Sequence, residues 1–511
     1  MNEVTSIGAP VCRPPLRAAL AALAGCSIAA GGAPLEACGL PWAGVLLLHA
    51  LWSDAARGAR PMRSSAAVGV GAGLAANLVS MPWAVELFEQ HAFLPLPLAL
   101  LLSVFLWLAQ SLPLAIAGML RGAIRERSAL PAALATVVAT LVAGGLTPMF
   151  FPWRLGTSET GLAPMAAWAS ISGVSALDLM LVAPAALAVE ALRARSWRGA
   201  FGATLTLAVA LGGGTLLGRE IARERDGREL VRVGVAHTVL SIAERQDPLR
   251  WERDHLALLA STVSLEADGA ELVLWPETAY PFAWPRERTR DAVGLESLIA
   301  RGVRGPLAFG SLTWGAEGRF NSVVGIEQDG HLAGIADKRV LMPFSERVPL
   351  AAWIRPYVPS MPEGLVPAGT PASLRLGGRT IGVLNCYEDL DAEHTRWLVV
   401  REAPDLLANH TNDAWFGAQA AQLHLFLARL RAVESGRDLV RAVNGGVSAH
   451  VAATGEVLLR RGPDEAGGFV ADVRRGGGPT PFVRFGDVVL ASALGVLLAL
   501  LAPRRSRRAA A

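Results

Sequence analysis

Three residues of unlike chemistry share one setting: Glu277, Lys338 and Cys386 each stand just past a short apolar run. In Arg379-Thr-Ile-Gly-Val-Leu-Asn-Cys386-Tyr-Glu-Asp-Leu390 the apolar half ends in Asn-Cys-Tyr-Glu, the pattern of a buried strand delivering a cysteine to a sharp turn. Cys386 is the only cysteine after residue 38, so the hydrophilic half of the chain offers it no disulfide partner. Of 47 lysines and arginines, Lys338 alone is lysine. Arginine keeps its proton and presents a wide fork, whereas lysine is a compact charge of tunable pKa, so a position held by lysine alone points to chemistry. An acid, an ammonium and a thiol form a nucleophilic set. Sulfur attacks a carbonyl carbon, the carboxylate takes and returns the proton, and the ammonium with a backbone N–H holds the oxyanion. A neighbouring cation would also draw the thiol toward thiolate. Simpler readings exist: a lone buried cysteine can be a small hydrophobe, and a lone lysine a surface residue.

The elements that must position these side chains follow from the pattern. Strands are expected at Leu230 to Val235, Glu271 to Trp275, Pro306 to Thr313, Ser322 to Gln328, Leu332 to Ala336, Thr380 to Leu384 and Leu406 to Asn412, with Val440 to Val443 and Ser448 to Ala452 closing the domain. Trp275-Pro276 stops its strand, because proline cannot donate to the ladder, and sets Glu277 at the strand's end. Helices are expected after Trp251 to about Glu266 and over Ala418 to Ser435, where Leu423, Leu427 and Leu430 recur at helical spacing. Strands whose C-terminal ends carry polar residues, with helices between, describe a layered α/β domain with its site along one sheet edge.

The 52% of apolar residues concentrates before residue 218 and after residue 485. Eight apolar segments result: Leu16 to Ala33, Leu40 to Trp52, Ala66 to Val85, Phe93 to Leu120, Leu130 to Phe151, Met165 to Leu192, Ala200 to Leu217 and Val488 to Leu501. A spanning helix takes about 20 residues, so the second and eighth are short. The expected organisation is a membrane domain of about seven helices over 1–217, an external catalytic domain over 218–487, and a final helix with a basic tail over 488–511. Arginines mark alternate loops: Arg13 and Arg17; Arg57, Arg60 and Arg63; Arg121, Arg125 and Arg127; Arg193, Arg195 and Arg198; then Arg504, Arg505, Arg507 and Arg508. Only Arg154 breaks the alternation, so both termini are expected in the cytoplasm and the catalytic domain outside. Leu23-Ala-Gly-Cys26 resembles a lipoprotein cleavage box, but the apolar run continues past it, as a first membrane helix would. Asp178, mid-segment, suggests a proton or ion pathway or, more simply, a helix-to-helix hydrogen bond. A net charge of +3 with scattered arginines gives no basic stripe for nucleic acid.

Trp-Pro-Glu277, Asp-Lys338 with Glu346 eight residues on, Cys386-Tyr-Glu and Asn412-Asp-Ala-Trp-Phe-Gly417 together resemble the nitrilase superfamily. Within it, the chain resembles the apolipoprotein N-acyltransferases of bacterial lipoprotein maturation. The resemblance extends through Ala428 to Arg437, Arg441 to Ala449 and the membrane frame. It implies an α-β-β-α sandwich, a triad of Glu277, Lys338 and Cys386, and supporting roles for Glu346, Tyr387 and Glu388, with Trp251 at the family's tryptophan position. It implies no cofactor and no metal. The reaction implied passes an acyl chain from a phospholipid, phosphatidylethanolamine by expectation, through a Cys386 thioester to the α-amino group of a diacylglyceryl cysteine. A monomer in the bacterial inner membrane, with its catalytic domain on the periplasmic side, is expected. The sequence departs from the family at Ala236 to Ser241, at Val340 where the family has histidine, and at Ser345 where it has glycine.

Between Glu346 and Cys386, the proline-rich stretch Leu350 to Leu365 carries Trp353, Ile354, Tyr357, Val358 and Met361, suited to a membrane interface. The main rival is a membrane-anchored amidase or hydrolase with water in the second step; a paralogue with another donor or acceptor is a further alternative. A transporter built around Asp178 would leave the triad without a role.

Overall fold

A computed structural model describes residues 13–91, 94–343, 345–347, 353, 356 and 364–502. The stretch Leu350 to Leu365 and the arginines after residue 502 lie almost wholly outside the described residues. Two compact units emerge: Met1–Leu216 with Phe485–Ala511, and Leu217–Arg484.

In the first unit every apolar segment carries a helix: α1 (Pro14–Ala29), α2 (Leu40–Ala55), α3 (Pro61–Ser80), α4 (Leu96–Arg127), α5 (Ala132–Leu146), α6 (Val174–Ala194), α7 (Trp197–Asp226) and, late in the chain, α11 (Val488–Leu501). By length and composition α4, α6 and α7 could each cross a membrane, while α1, α5 and α11 are shorter apolar helices. Small residues let backbones meet. A Cβ on Gly69 would lie 2.1 Å from the Leu114 carbonyl oxygen, and one on Gly118 2.3 Å from that of Ser65, so α3 and α4 pack at glycine distance. The sixth apolar segment is not one helix. Its first part forms two short helices, Ala163–Ala167 and Ala169–Ser172, and the chain restarts at Gly173, φ +60°, into α6. The seventh runs on as helix to Asp226, well past its apolar end.

Two of the arginines named for the alternation prove not to be free charges. Arg154, the exception to the alternation, lies 2.5 Å from Asp178, whose other oxygen accepts from the Gly156 N–H at 2.6 Å. The mid-segment carboxylate therefore tethers the turn before α6 rather than a second helix. Arg121 is buried, donating to Thr136 Oγ1, the Trp52 carbonyl and Ser53 Oγ at 2.7, 3.1 and 2.6 Å.

Among the described residues the second unit has thirteen strands: β1 (Leu230–His237), β2 (Leu272–Leu274), β3 (Trp284–Pro285), β4 (Leu307–Gly315), β5 (Gly318–Ile326), β6 (Leu332–Asp337), β7 (Ser373–Leu376), β8 (Arg379–Asn385), β9 (Leu406–Asn412), β10 (Leu439–Asn444), β11 (Ser448–Val451), β12 (Val457–Arg461) and β13 (Gly467–Arg474). One sheet runs β13-β1-β2-β4-β5-β6, with β3 beside β4; the other runs β12-β11-β10-β9-β8-β7. Val233, Val235, Leu272 and Leu274 face Ile381, Val383, Leu406, Ala408 and Val440 in a core between the sheets. With a side-chain period of two, the alternate residues pack outward. Val273 meets α8 (Trp251–Ala267) through Leu258 and Leu265. Leu384 and Leu407 meet α9 (Ala392–Glu402) and α10 (Gly417–Ser435) through Leu398 and Ala428. Strands buried on both faces read as near-continuous apolar runs, which is why the pattern alone revealed them. The result is an α-β-β-α sandwich.

Two expectations need correction. Strands β10 and β11 do not close the domain. β12 follows, and β13 returns to pair antiparallel with β1 along its whole length, from Leu230 opposite Arg474 to His237 opposite Gly467. Nor does the site lie along one sheet edge. Residues just past β2 and β6 of one sheet meet residues at the ends of β8 and β9 of the other across the gap between the sheets: Glu277 accepts from the Asn412 N–H, and Glu388 from the Arg339 N–H. His410 Nδ1 donates to the Trp275 carbonyl at 2.7 Å, and Asn385 Nδ2 to Asn321 Oδ1 at 3.1 Å.

Candidate active site

Glu277, Lys338 and Cys386 come together, all buried, from three strand ends in two sheets. The Lys338 ammonium, 2% exposed, lies 3.2 Å from Glu277 Oε1 and 3.0 and 2.8 Å from the two oxygens of Glu346. Burial alone would pull this ammonium down, but the charges of Glu277 and then Glu346 hold it well above the usual lysine range. The same contacts, against the opposing effect of burial, keep Glu346 below the usual carboxylate range. Lys338 is thus a fixed cation that does not give up its proton.

Burial first, and then the Glu277 charge, push the Cys386 thiol well above its ordinary value, while Lys338 pulls the other way. The expectation of a cation-made thiolate is therefore corrected. The cation is present, but two carboxylates share it, and the resting sulfur keeps its proton. A thiol in this state needs a base at the moment of attack, and Glu277 is the carboxylate at hand.

Backbone geometry aims these groups. Cys386 has φ +51° and Thr278, next to the acid, φ +45°, left-handed values that cost a non-glycine residue roughly 1–3 kcal/mol each. Glu277 is held on both oxygens. Oε1 accepts from Asn321 Nδ2 at 2.7 Å and Oε2 from the Asn412 N–H at 3.0 Å. Arg245 donates to the Glu277 carbonyl at 3.2 Å, to Thr278 Oγ1 at 2.8 Å and to the Thr278 carbonyl.

Glu346 and Glu388 are brought in, in different ways. Glu346 Oε2 accepts from the Met342 N–H at 2.8 Å, so the chain at Ser345 still turns its carboxylate onto Lys338. Glu388 accepts from the Arg339 and Val340 N–H groups at 2.6 and 3.0 Å and from the Asn385 N–H at 2.8 Å, tying the residues after Lys338 to the cysteine turn. Tyr387 is half-buried beside Cys386, its hydroxyl pushed up to about 12 by burial and then by Asp391. Trp251 is linked to Glu277 through Arg245: its Nε1 donates to the Arg245 carbonyl at 3.1 Å, Arg245 donates to the Glu277 carbonyl, and the Trp251 ring meets the Phe282 edge at 6.3 Å.

Residues 241–477 match the carbon-nitrogen hydrolase family, and residues 24–187 the apolipoprotein N-acyltransferase N-terminal domain. An apolipoprotein N-acyltransferase of Chromobacterium violaceum is 30% identical over 469 residues, 86% of this chain and 86% of its own. The chain belongs to the apolipoprotein N-acyltransferase family. Its relative in Gloeobacter violaceus is 33% identical over 69% of this chain and 68% of its own, and that in Azotobacter vinelandii 30% over 84% and 85%. Among solved structures, an amidase from Nesterenkonia sp. aligns with 52% of this chain and 96% of its own at 20% identity, with a TM-score of 0.36.

For this family member, sequence reasoning missed Asn321, whose amide bridges the Glu277 and Glu346 carboxylates at 2.7 Å each, and Asn444. Asn444 donates to Asn412 Oδ1 at 2.8 Å and accepts from Thr238 Oγ1 at 2.7 Å. Asn444 ends a strand as Cys386 does, and could have been found by that signal. Asn321 lies near the start of a strand whose polar face gave none. Among the described residues no group of three His, Cys, Asp or Glu could hold a metal ion.

Proposed function

We propose that this chain is an apolipoprotein N-acyltransferase that works through an acyl-enzyme on Cys386. The observation that carries the mechanism is the placing of Cys386, on a strained left-handed turn, with Glu277 and with a Lys338 ammonium fixed by two carboxylates. In the first step Glu277 takes the thiol proton as sulfur attacks the ester carbonyl of a phospholipid acyl chain. Lys338 and a backbone N–H of the cysteine turn hold the oxyanion. The C–O bond breaks, Glu277 gives the proton to the departing glycerol oxygen, and a lysophospholipid leaves a thioester behind.

In the second step the α-amino group of a diacylglyceryl cysteine attacks the thioester. The C–S bond breaks, and Glu277 takes the amine proton and returns it to the thiol. Phosphatidylethanolamine is the proposed donor. The chain is a membrane protein; a multi-pass arrangement in the bacterial inner membrane, with the second unit on the periplasmic side, is proposed from the arginine alternation. Removal of Arg121 and Arg154 from the count leaves that alternation intact, because Arg125 and Arg127 still mark their loop.

The test is the intact mass of the purified protein after incubation with phosphatidylethanolamine. One acyl chain should appear on wild type and none on Cys386→Ala. Adding a diacylglyceryl lipopeptide should remove it and yield the N-acylated lipopeptide. Release of free fatty acid instead would establish the hydrolase.

A further inference from the structure

Behind the nucleophile lie four buried charged side chains that this chemistry does not use. Asp389 sits on the Cys386 turn, three residues past the sulfur. Asp413 directly follows Asn412, whose N–H holds Glu277. His424 on α10 lies between them, Nε2 2.7 Å from Asp389 Oδ1 and Nδ1 2.8 Å from Asp413 Oδ1. Arg441 on β10 contacts Asp389 Oδ2 and lies 3.6 Å from Asp413 Oδ2. His424 is 5% exposed and the other three 0%.

Both ring nitrogens face carboxylate oxygens, so both must donate, and a neutral imidazole has only one N–H. With His424 as imidazolium, two positive charges balance two negative ones and the cluster is neutral. Without its proton, a net negative charge stays in a water-free site, which is expensive. The groups facing the ring are Asp389 from the cysteine turn, Asp413 from the end of β9 and Arg441 from β10; further along α10, Arg431 pairs with Glu434 at 2.8 Å. Burial pulls the imidazolium down, but Asp389 and Asp413 outweigh it and raise it to about 9, with Arg441 opposing.

The cluster adds a charged link between the turn carrying the nucleophile and the turn holding the base, which follow the paired strands β8 and β9. We infer that His424, as an imidazolium, is a positioning residue that fixes Cys386 and Glu277 relative to each other during acyl transfer. The inference rests on the proposed roles of those two residues. His424 does not touch the reacting atoms; it acts through Asp389 on one side and Asp413 with Asn412 on the other.

The experiment uses the full chain in detergent and a fluorescent phosphatidylethanolamine, with single-turnover acylation of Cys386 as the readout. His424→Gln should acylate roughly 10- to 100-fold more slowly, the loss expected when reacting groups drift by about an ångström. Half-saturating phospholipid should stay unchanged. Asp413→Asn in the His424→Gln background restores neutrality and should recover most of the loss. In wild type, the acylation rate should fall between pH 8 and 10 in step with deprotonation of His424, followed by 15N signals among only nine histidines. A folded His424→Gln that acylates within about threefold of wild type, or that loses only phospholipid affinity, overturns the inference. So does a wild-type rate that stays flat while the imidazolium titrates, a result that needs no variant to fold. Cys386→Ala runs in parallel. Acylation surviving in it overturns the thioester itself, whereas an inactive Cys386→Ala beside a wild-type-like His424→Gln overturns only the role of His424.

Discussion

The Lys338 ammonium meets three carboxylate oxygens at 2.8 to 3.2 Å in a slot closed to water. The chain uses arginine everywhere else, so charge alone does not account for lysine here. A guanidinium is planar and wider, and in that slot would push into the space of the acyl carbonyl. Lys338→Arg should fold yet acylate about a hundred- to a thousand-fold more slowly, the loss seen when an oxyanion donor is removed. Single-turnover acylation with a melting curve checks this, and a rate within about threefold of wild type would remove the oxyanion role. Glu277→Gln tests the other proton-handling group. The amide keeps the shape and accepts from Asn412, but cannot take the thiol's proton, and the thiol is held well protonated. Acylation should drop by about a hundred- to ten-thousand-fold; near-normal thioester formation would take Glu277 out of the mechanism. Here the sequence was informative because reactive types were rare. One late cysteine and one lysine stood out, whereas Asn321, which joins the two acids, is an ordinary residue whose importance exists only in three dimensions.

At the scale of elements, the acid's position depends on β4 as much as on its own strand. A Cβ on Gly310 would lie 2.4 Å from the Thr278 nitrogen and 2.5 Å from both the Glu277 Cα and the Pro276 carbonyl oxygen. All three are backbone atoms of the turn that presents Glu277, so nothing flexible can yield. Gly310→Ala should cost about 1–3 kcal/mol and slow acylation by on the order of a hundredfold through displacement of the carboxylate. Gly478→Ala, with open space around its Cβ, should do neither. Melting temperature and single-turnover acylation of the two variants decide it; a wild-type-like Gly310→Ala would show that the turn is not set by this packing. Strand identity was readable because both faces of these strands are buried. The return of β13 to β1 was not, because a strand's partner is chosen by the far end of the chain and leaves no mark in its own pattern.

For the molecule as a whole, buried histidines give the catalytic unit a stability that narrows from both sides. His424 is raised from 6.5 to about 9, so its contribution is complete below pH 6.5 and is lost as pH rises through about 9. His237 and His410 are lowered by burial to about 4, so theirs is present above pH 6.5 and lost as pH falls toward 4. Each group is worth on the order of 3 kcal/mol. The melting temperature should peak near neutrality and fall on both sides, and in His424→Gln the alkaline fall should flatten; an unchanged alkaline limb would contradict the assignment. The arginine alternation predicts a separate result: an impermeant thiol reagent applied to spheroplasts should label cysteines introduced on the exposed face of the second unit. Labelling only after permeabilisation would reverse the proposed topology.

What the sequence determined by itself was whatever depends on composition and short spacing: eight apolar segments, the more strongly apolar strands but not β3, β7, β12 or β13, and three reactive residues at strand ends. Burial and helical or strand periodicity act within a few residues, so they are written locally. What only the tertiary structure decided was which distant residues share charge. The division of Lys338 between Glu277 and Glu346, the pairing of Arg154 with Asp178 and the seating of His424 between Asp389 and Asp413 join residues 8 to 61 positions apart. Electrostatic contacts of that kind are set by the approach of separate elements, and no local pattern encodes it.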